Sequence, residues 1–80
     1  MIKVLFFAQV RELVGVDSLE LQNDYSTVDD LRRALINKGD RWALALEIVI
    51  CSAVNQSFVQ GTYAIKDGDE VAFFPPVTGG

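Results

Sequence analysis

The residues able to do chemistry in this sequence are few, and most of them stand together at one end. The chain has 80 residues, no histidine and one cysteine, Cys51. Ser-His-Asp and Cys-His nucleophile systems are thereby excluded, as are an intrachain disulfide and a multi-cysteine metal site. What remains is the run Phe73-Phe74-Pro75-Pro76-Val77-Thr78-Gly79-Gly80. The two prolines favour an extended start in a fixed direction. From Pro75 to Gly80 such a tail reaches about 20 Å. Gly79 and Gly80 carry no side chains, so this end can enter a narrow tunnel and take backbone angles closed to other residues. The reactive group at the tip is then the α-carboxylate of Gly80. A carboxylate is a poor acyl donor because its oxygen leaves badly. It needs activation, most simply as an acyl-adenylate made from ATP. Gly15, Gly39, Gly61 and Gly68 each stand alone, so no Gly-rich phosphate loop is present to do this. The adenylating machinery is expected on another protein.

The elements that must position this tail read as follows. Ile2 to Val10 has strand alternation, with Ile2, Val4, Phe6, Ala8 and Val10 on one face and Lys3, Leu5, Phe7 and Gln9 on the other. Gly15 punctuates the chain, and Asp17 to Gln22 alternates through Leu19 and Leu21 as a second strand. Thr27 and Asp30 have capping-box spacing, and Val28, Leu31 and Leu35 repeat at helical intervals. This predicts a helix over 28–38, stopped by Gly39. Asp40 is expected to cap a short second helix over 41–46. Ile48 to Asn55 reads as a strand, Phe58-Val59 as a brief partner, and Gly61 to Lys66 as a loop. Asp67-Gly68-Asp69 is a turn, and Glu70 to Phe74 is a last strand ended by the prolines. The reading is an α+β roll over residues 1–74, with the first and last strands central, followed by a tail over 75–80.

Composition narrows the partners. Half the residues are apolar and 22% are charged, a globular rather than a disordered balance. Net charge is −4, with seven scattered basic residues, a poor match for a phosphate backbone and a better one for a basic protein. No apolar run approaches the length of a membrane span. Met1 to Val10 lacks a cleavage site and reads as a strand rather than a signal peptide, which together with a lone thiol gives the expectation of a cytoplasmic protein without nucleic-acid or membrane partners.

Several stretches together resemble the MoaD-type small subunits of molybdopterin synthase, which are ubiquitin-like sulfur carriers. These are Val4-Leu5-Phe6-Phe7-Ala8 with Arg11-Glu12, then Arg41-Trp42-Ala43-Leu44-Ala45-Leu46-Glu47, Ala53-Val54-Asn55-Gln56 and, most specifically, Asp67 to Gly80. The resemblance implies a β-grasp fold with a mixed sheet of four to five strands, one main helix on one face and a short second helix. It implies a non-catalytic carrier. A MoeB-like E1 enzyme uses ATP to adenylate Gly80, and a desulfurase or rhodanese supplies the sulfur of a C-terminal thiocarboxylate. The tail, with Gly79 as its slim neighbour, enters a MoaE-like large subunit. There it donates sulfur to cyclic pyranopterin monophosphate, in a heterotetramer of two large and two small subunits. No cofactor or metal is bound permanently. The alternatives are a ThiS-like carrier for thiazole synthesis and a ubiquitin-like protein modifier.

The partner-binding residues expected on this reading are Phe7, Arg11, Phe58, Phe74, Pro75, Pro76, Val77 and Thr78. Leu5 and Phe7 face away from the helix, and of the neighbours Phe73 and Phe74 one must point outward. Phe7, Phe58 and Phe74 are therefore expected to form an exposed apolar docking patch, and Arg11 is expected to pair with an acidic residue of a partner. Cys51 is expected to be a buried small hydrophobe, Trp42 to serve the core, and Asp67, Asp69 and Glu70 to build a turn rather than a calcium site.

Overall fold

A computed structural model describes residues 1–47 and 50–76. The chain runs β1 (Ile2–Phe6), α1 (Ala8–Val14), β2 (Ser18–Leu21), α2 (Val28–Ile36), α3 (Asp40–Leu46), β3 (Cys51–Val54), β4 (Ser57–Val59) and β5 (Glu70–Phe74). The strands form one sheet in the order β2-β1-β5-β3-β4. β1 and β5 run parallel, Val4 opposite Val71 and Phe6 opposite Phe73, and the other pairings are antiparallel. A parallel pair cannot be closed by a tight turn. The intervening chain accordingly supplies the helices, which share one core with a single face of the sheet.

That core is built from Ile2, Val4 and Phe6 of β1 and Val71 and Phe73 of β5, packed against Val10, Val14, Val28, Leu31, Leu35, Ala45 and Leu46 of the helices. The Phe6 ring stacks on Phe73 at 6.3 Å and meets Trp42 of α3 edge-on at 5.5 Å. α2 begins where the capping pattern placed it, since Thr27 Oγ1 accepts the Asp30 N–H at 3.2 Å. Two more N–H groups of its first turn donate to the loop that follows β4, Val28 to the Tyr63 carbonyl and Asp29 to the Gly61 carbonyl. Gly61 approaches so closely that an added Cβ would lie 2.1 Å from the Asp29 carboxylate.

The structure corrects four expectations. The first strand stops at Phe6, and residues 8–14 form a third helix, so the single main helix and one short helix become three. Val10 and Val14 are one helical turn apart, both buried, and Gly15 closes the helix at φ 82° while donating to the Arg11 carbonyl. Gly39 does not stop α2. The helix ends at Ile36, and Gly39 is instead the N-cap of α3, in the place expected of Asp40. Cys51 is half-buried rather than buried. The third strand starts at Cys51, whereas it was expected from Ile48; Ile48 and Val49 lie outside the described residues.

Candidate functional site

Strand alternation divides the sheet into two chemically different faces. Val71 and Phe73 of β5 point to the helices; Glu70, Ala72 and Phe74 point away and are half-buried. The register carries this across the sheet. Leu5 of β1 lies opposite Ala72, Ala72 opposite Ala53, and Ala53 opposite Phe58. Phe74 lies opposite Cys51 on one side. On its other side, the Phe7 N–H donates to the Phe73 carbonyl at 3.2 Å and Phe7 keeps an extended backbone, so it continues the outward series Lys3, Leu5, Phe7. Across β1, β5, β3 and β4 the outer face is thus apolar in two adjacent rows, with Ser18 of β2 the polar neighbour of Leu5. Its charges, Glu20, Lys3 and Glu70, form a third row at the end remote from Phe74.

Among the described residues, no element covers this face. Phe58 is 79% exposed and Phe7 47% exposed. The Phe58 and Phe74 rings touch, with centroids 5.6 Å apart. Arg11 sits one turn into α1, its N–H donating to the Phe7 carbonyl, and its side chain lines the same surface depression as Leu5 and Phe7. It makes no ion pair among the described residues. A second, larger groove of about 520 Å³ lies at the end of the sheet where β5 finishes, between Phe74, Cys51 and Phe58 on one wall and Asp29 and Arg32 of α2 on the other. Arg32 is already engaged, because its Nε donates to the Leu46 carbonyl at 2.6 Å.

Of the residues named from the sequence, the structure places Phe7, Arg11, Phe58 and Phe74 on or beside the outer face, with Pro75 and Pro76 directly after β5 at the same end of the sheet. Val77, Thr78, Gly79 and Gly80 lie outside the described residues. Sequence reasoning turned Leu5 outward without counting it in the patch, and it missed Ala53 and Ala72, which with Leu5 floor the patch. The outward series Lys3, Leu5, Phe7 was the visible signal for Leu5. It also missed what holds the far end of the hairpin. Asn55 Nδ2 donates to Asp69 Oδ1 at 2.9 Å, and Asn55 Oδ1 accepts the Glu70 N–H at 3.0 Å. Asp69 Oδ2 accepts the Lys66 N–H at 2.8 Å. These bonds, that from Lys66 first, hold the Asp69 carboxyl below its ordinary value, with Lys66's positive charge a smaller contribution. Among the described residues no cluster of side chains is arranged to hold a metal ion.

Among the described residues, a five-stranded mixed sheet with a parallel central pair, helices on one face and an uncovered, largely apolar face on the other defines a β-grasp fold. The comparisons define the class further. The ThiS family model matches residues 4–80. The molybdopterin synthase sulfur carrier subunit of Escherichia coli is 60% identical, over all of both chains, and that of Haemophilus influenzae 54% identical, again over all of both. Among solved structures, a complex of subunits 1 and 2 of the molybdopterin-converting factor from Helicobacter pylori superimposes with a TM-score of 0.71. The match has 25% identity and covers 99% of this chain and 97% of that one. The chain belongs to the ThiS family and, within it, to the molybdopterin synthase sulfur carrier subunits.

Proposed function

We propose that this chain carries sulfur on its C-terminal Gly80 and delivers it inside a MoaE-like large subunit to build the dithiolene of molybdopterin from cyclic pyranopterin monophosphate. The observation that carries the reading is the coincidence of the docking face with the tail. The exposed aromatic rings lie at the end of the sheet from which β5 runs into Pro75-Pro76. A partner that covers Phe7, Phe58 and Phe74 therefore sits where the tail leaves the domain.

The chemistry needs two steps from other proteins. In the first, the Gly80 carboxylate attacks the α-phosphate of ATP on a MoeB-like enzyme, forming an acyl-adenylate and releasing pyrophosphate. In the second, the outer sulfur of a persulfide on a desulfurase or rhodanese displaces AMP, and a thiol then cleaves the resulting acyl disulfide, leaving a thiocarboxylate and taking the other sulfur into a disulfide. The thiocarboxylate sulfur is ionised at neutral pH and soft, so it attacks electrophilic carbon better than the parent oxygen would. Water then cleaves the acyl–sulfur bond, leaving sulfur on the substrate and the carboxylate back on Gly80. Two loaded carriers serve one dithiolene, which suits an assembly of two large and two small subunits. Arg11, exposed beside Phe7, supplies a positive group at the rim of the face. Gly79 and Gly80 have no side chains to obstruct entry into a narrow site, and Val77 and Thr78, before them in sequence, are further contacts for the partner.

The test is direct. The chain is incubated with ATP, a MoeB-like enzyme and a sulfur source, and intact-protein mass spectrometry is expected to show one oxygen replaced by sulfur, with fragmentation placing it at Gly80. Sulfur found elsewhere, or none under conditions that load the E. coli relative, would count against the proposal. Conjugates with lysines of other proteins would favour a modifier instead.

A further inference from the structure

Among the described residues, no strand pairs with the outer edge of β4. β4 is the last strand of the sheet, and β3 is its partner. Asn55 and Gln56 form the two-residue connection between them, both at positive φ (51° and 71°). A two-residue turn of this kind makes the flanking pair Val54 and Ser57 exchange both backbone hydrogen bonds. The next pair, Ala53 and Phe58, then does not. The N–H and C=O of Phe58 therefore point away from β3, toward the open edge. Edge strands are ordinarily blunted by lysine, proline or an inward charge. Here Ser57-Phe58-Val59-Gln60 has none of these, and from residue 48 to residue 65 the chain carries no Asp, Glu, Lys or Arg at all. The opposite edge, β2, carries Glu20 and follows Asp17.

We propose that this edge pairs with β4 of a second copy of the chain, antiparallel about a two-fold axis at Phe58. Three observations choose this occupant. First, the free groups are self-complementary: a two-fold through Phe58 lets its N–H and C=O bond those of the partner's Phe58, with Ser57 opposite Val59. Second, each chain carries net charge −4, which opposes association, but the approaching hairpins are uncharged, so repulsion is weakest along this edge. The carboxylate beside this edge, Asp29 of α2, already has Arg32 at 3.8 Å, so a basic partner gains little there. Third, Phe58 lies on the outer face and is 79% exposed, so the pairing sets two Phe58 rings side by side as a cross-strand aromatic pair beside both Phe74 rings. The sheets then join into one of ten strands. A strand of three residues and one ring pair buries less than the ~1,200 Å² of a stable interface, so the dimer is weak and concentration-dependent. Because it covers Phe58, it competes with docking through the outer face, and a partner must first separate the two copies.

The experiment uses the unloaded full chain, so its outcome is independent of the sulfur chemistry. Sedimentation velocity from about 10 µM to 1 mM is expected to show a shift from monomer to dimer in this weak-affinity range. Amide exchange at Phe58 N–H should slow across the same range. Ser57→Lys, at an exposed edge position, should raise the dissociation constant about tenfold or more while circular dichroism stays unchanged. Gln60→Lys, also exposed, gives the same readout if the first variant folds poorly. A monomer throughout the range overturns the proposal. So does a dimer in which exchange at Phe58 N–H is as fast as in the monomer, since the copies would then meet through another surface.

Discussion

Gln56 holds the second central position of the β3–β4 turn at φ 71°, a left-handed conformation that glycine adopts freely and glutamine does not. Gln56→Gly is therefore expected to stabilise the fold by about 0.5–1 kcal/mol, the relief of strain outweighing glycine's larger unfolded-state entropy. Urea unfolding would show the gain as a higher midpoint at unchanged slope. A second contrast separates fold from docking. Phe73 is fully buried and Phe58 is 79% exposed, although both are aromatic strand residues. Phe73→Ala should cost about 3–5 kcal/mol. Phe58→Ala should leave the thermal midpoint nearly unchanged and weaken binding to the large subunit, measured by calorimetry. A fall in midpoint comparable to that of Phe73→Ala would return Phe58 to the core. The sequence separated these two only in part. Alternation required that Phe73 and Phe74 face opposite ways, but which one faced out depended on the register with β1, where Phe6 meets Phe73.

At the level of elements, α2 was legible because its signals agree. Thr27 caps it, aspartates occupy its first turn, and its buried residues recur at helical spacing. α1 was not, because Ala8 and Val10 also continue the alternation of β1, and the two periods coincide over so short a run. Tertiary contact decides the matter: Val10 and Val14 reach the core only if the chain turns helical after Phe7. The link between the hairpin and β5 was also hidden, since Asn55 and Asp69 are distant in sequence and meet only once the sheet forms. It has a pH signature. The folded state holds Asp69 below its ordinary value, so the unfolded chain binds a proton first as acid is added. The stabilisation is complete above the ordinary aspartate range and is lost as the pH falls through that range and below it. Asn55→Ala removes one of the two bonds that favour the charged form. The variant should be less stable than the parent near neutral pH, and the difference should shrink in acid. Thermal midpoints across pH 3–7 would check this. An equal difference at every pH would assign Asn55 a role unconnected with the carboxylate.

For the whole molecule, the proposed function divides the work between the outer face of the sheet and the C-terminal residues. The central strand pair and the outward aromatics could be read in advance because alternation and turn chemistry point to one arrangement. The tail's proposed role rests on the types of its residues and on the family resemblance, and Val77 to Gly80 lie outside the described residues. Its test must therefore be chemical. If the face docks and the tail reacts, the two functions should come apart under one change. Adding a single alanine after Gly80 changes no residue of the core or of the outer face, so thermal stability should be unchanged and the outer face should still dock on the large subunit. The carboxylate, however, is moved one residue along and onto a residue with a Cβ, so adenylation and sulfur transfer should both fall below detection. Phe7→Ala should do the reverse, lowering affinity while leaving a tail that the activating enzyme can still load at high concentration. An extended chain that still forms a thiocarboxylate and supports molybdopterin synthesis would show that the terminal glycine is not the group that carries sulfur.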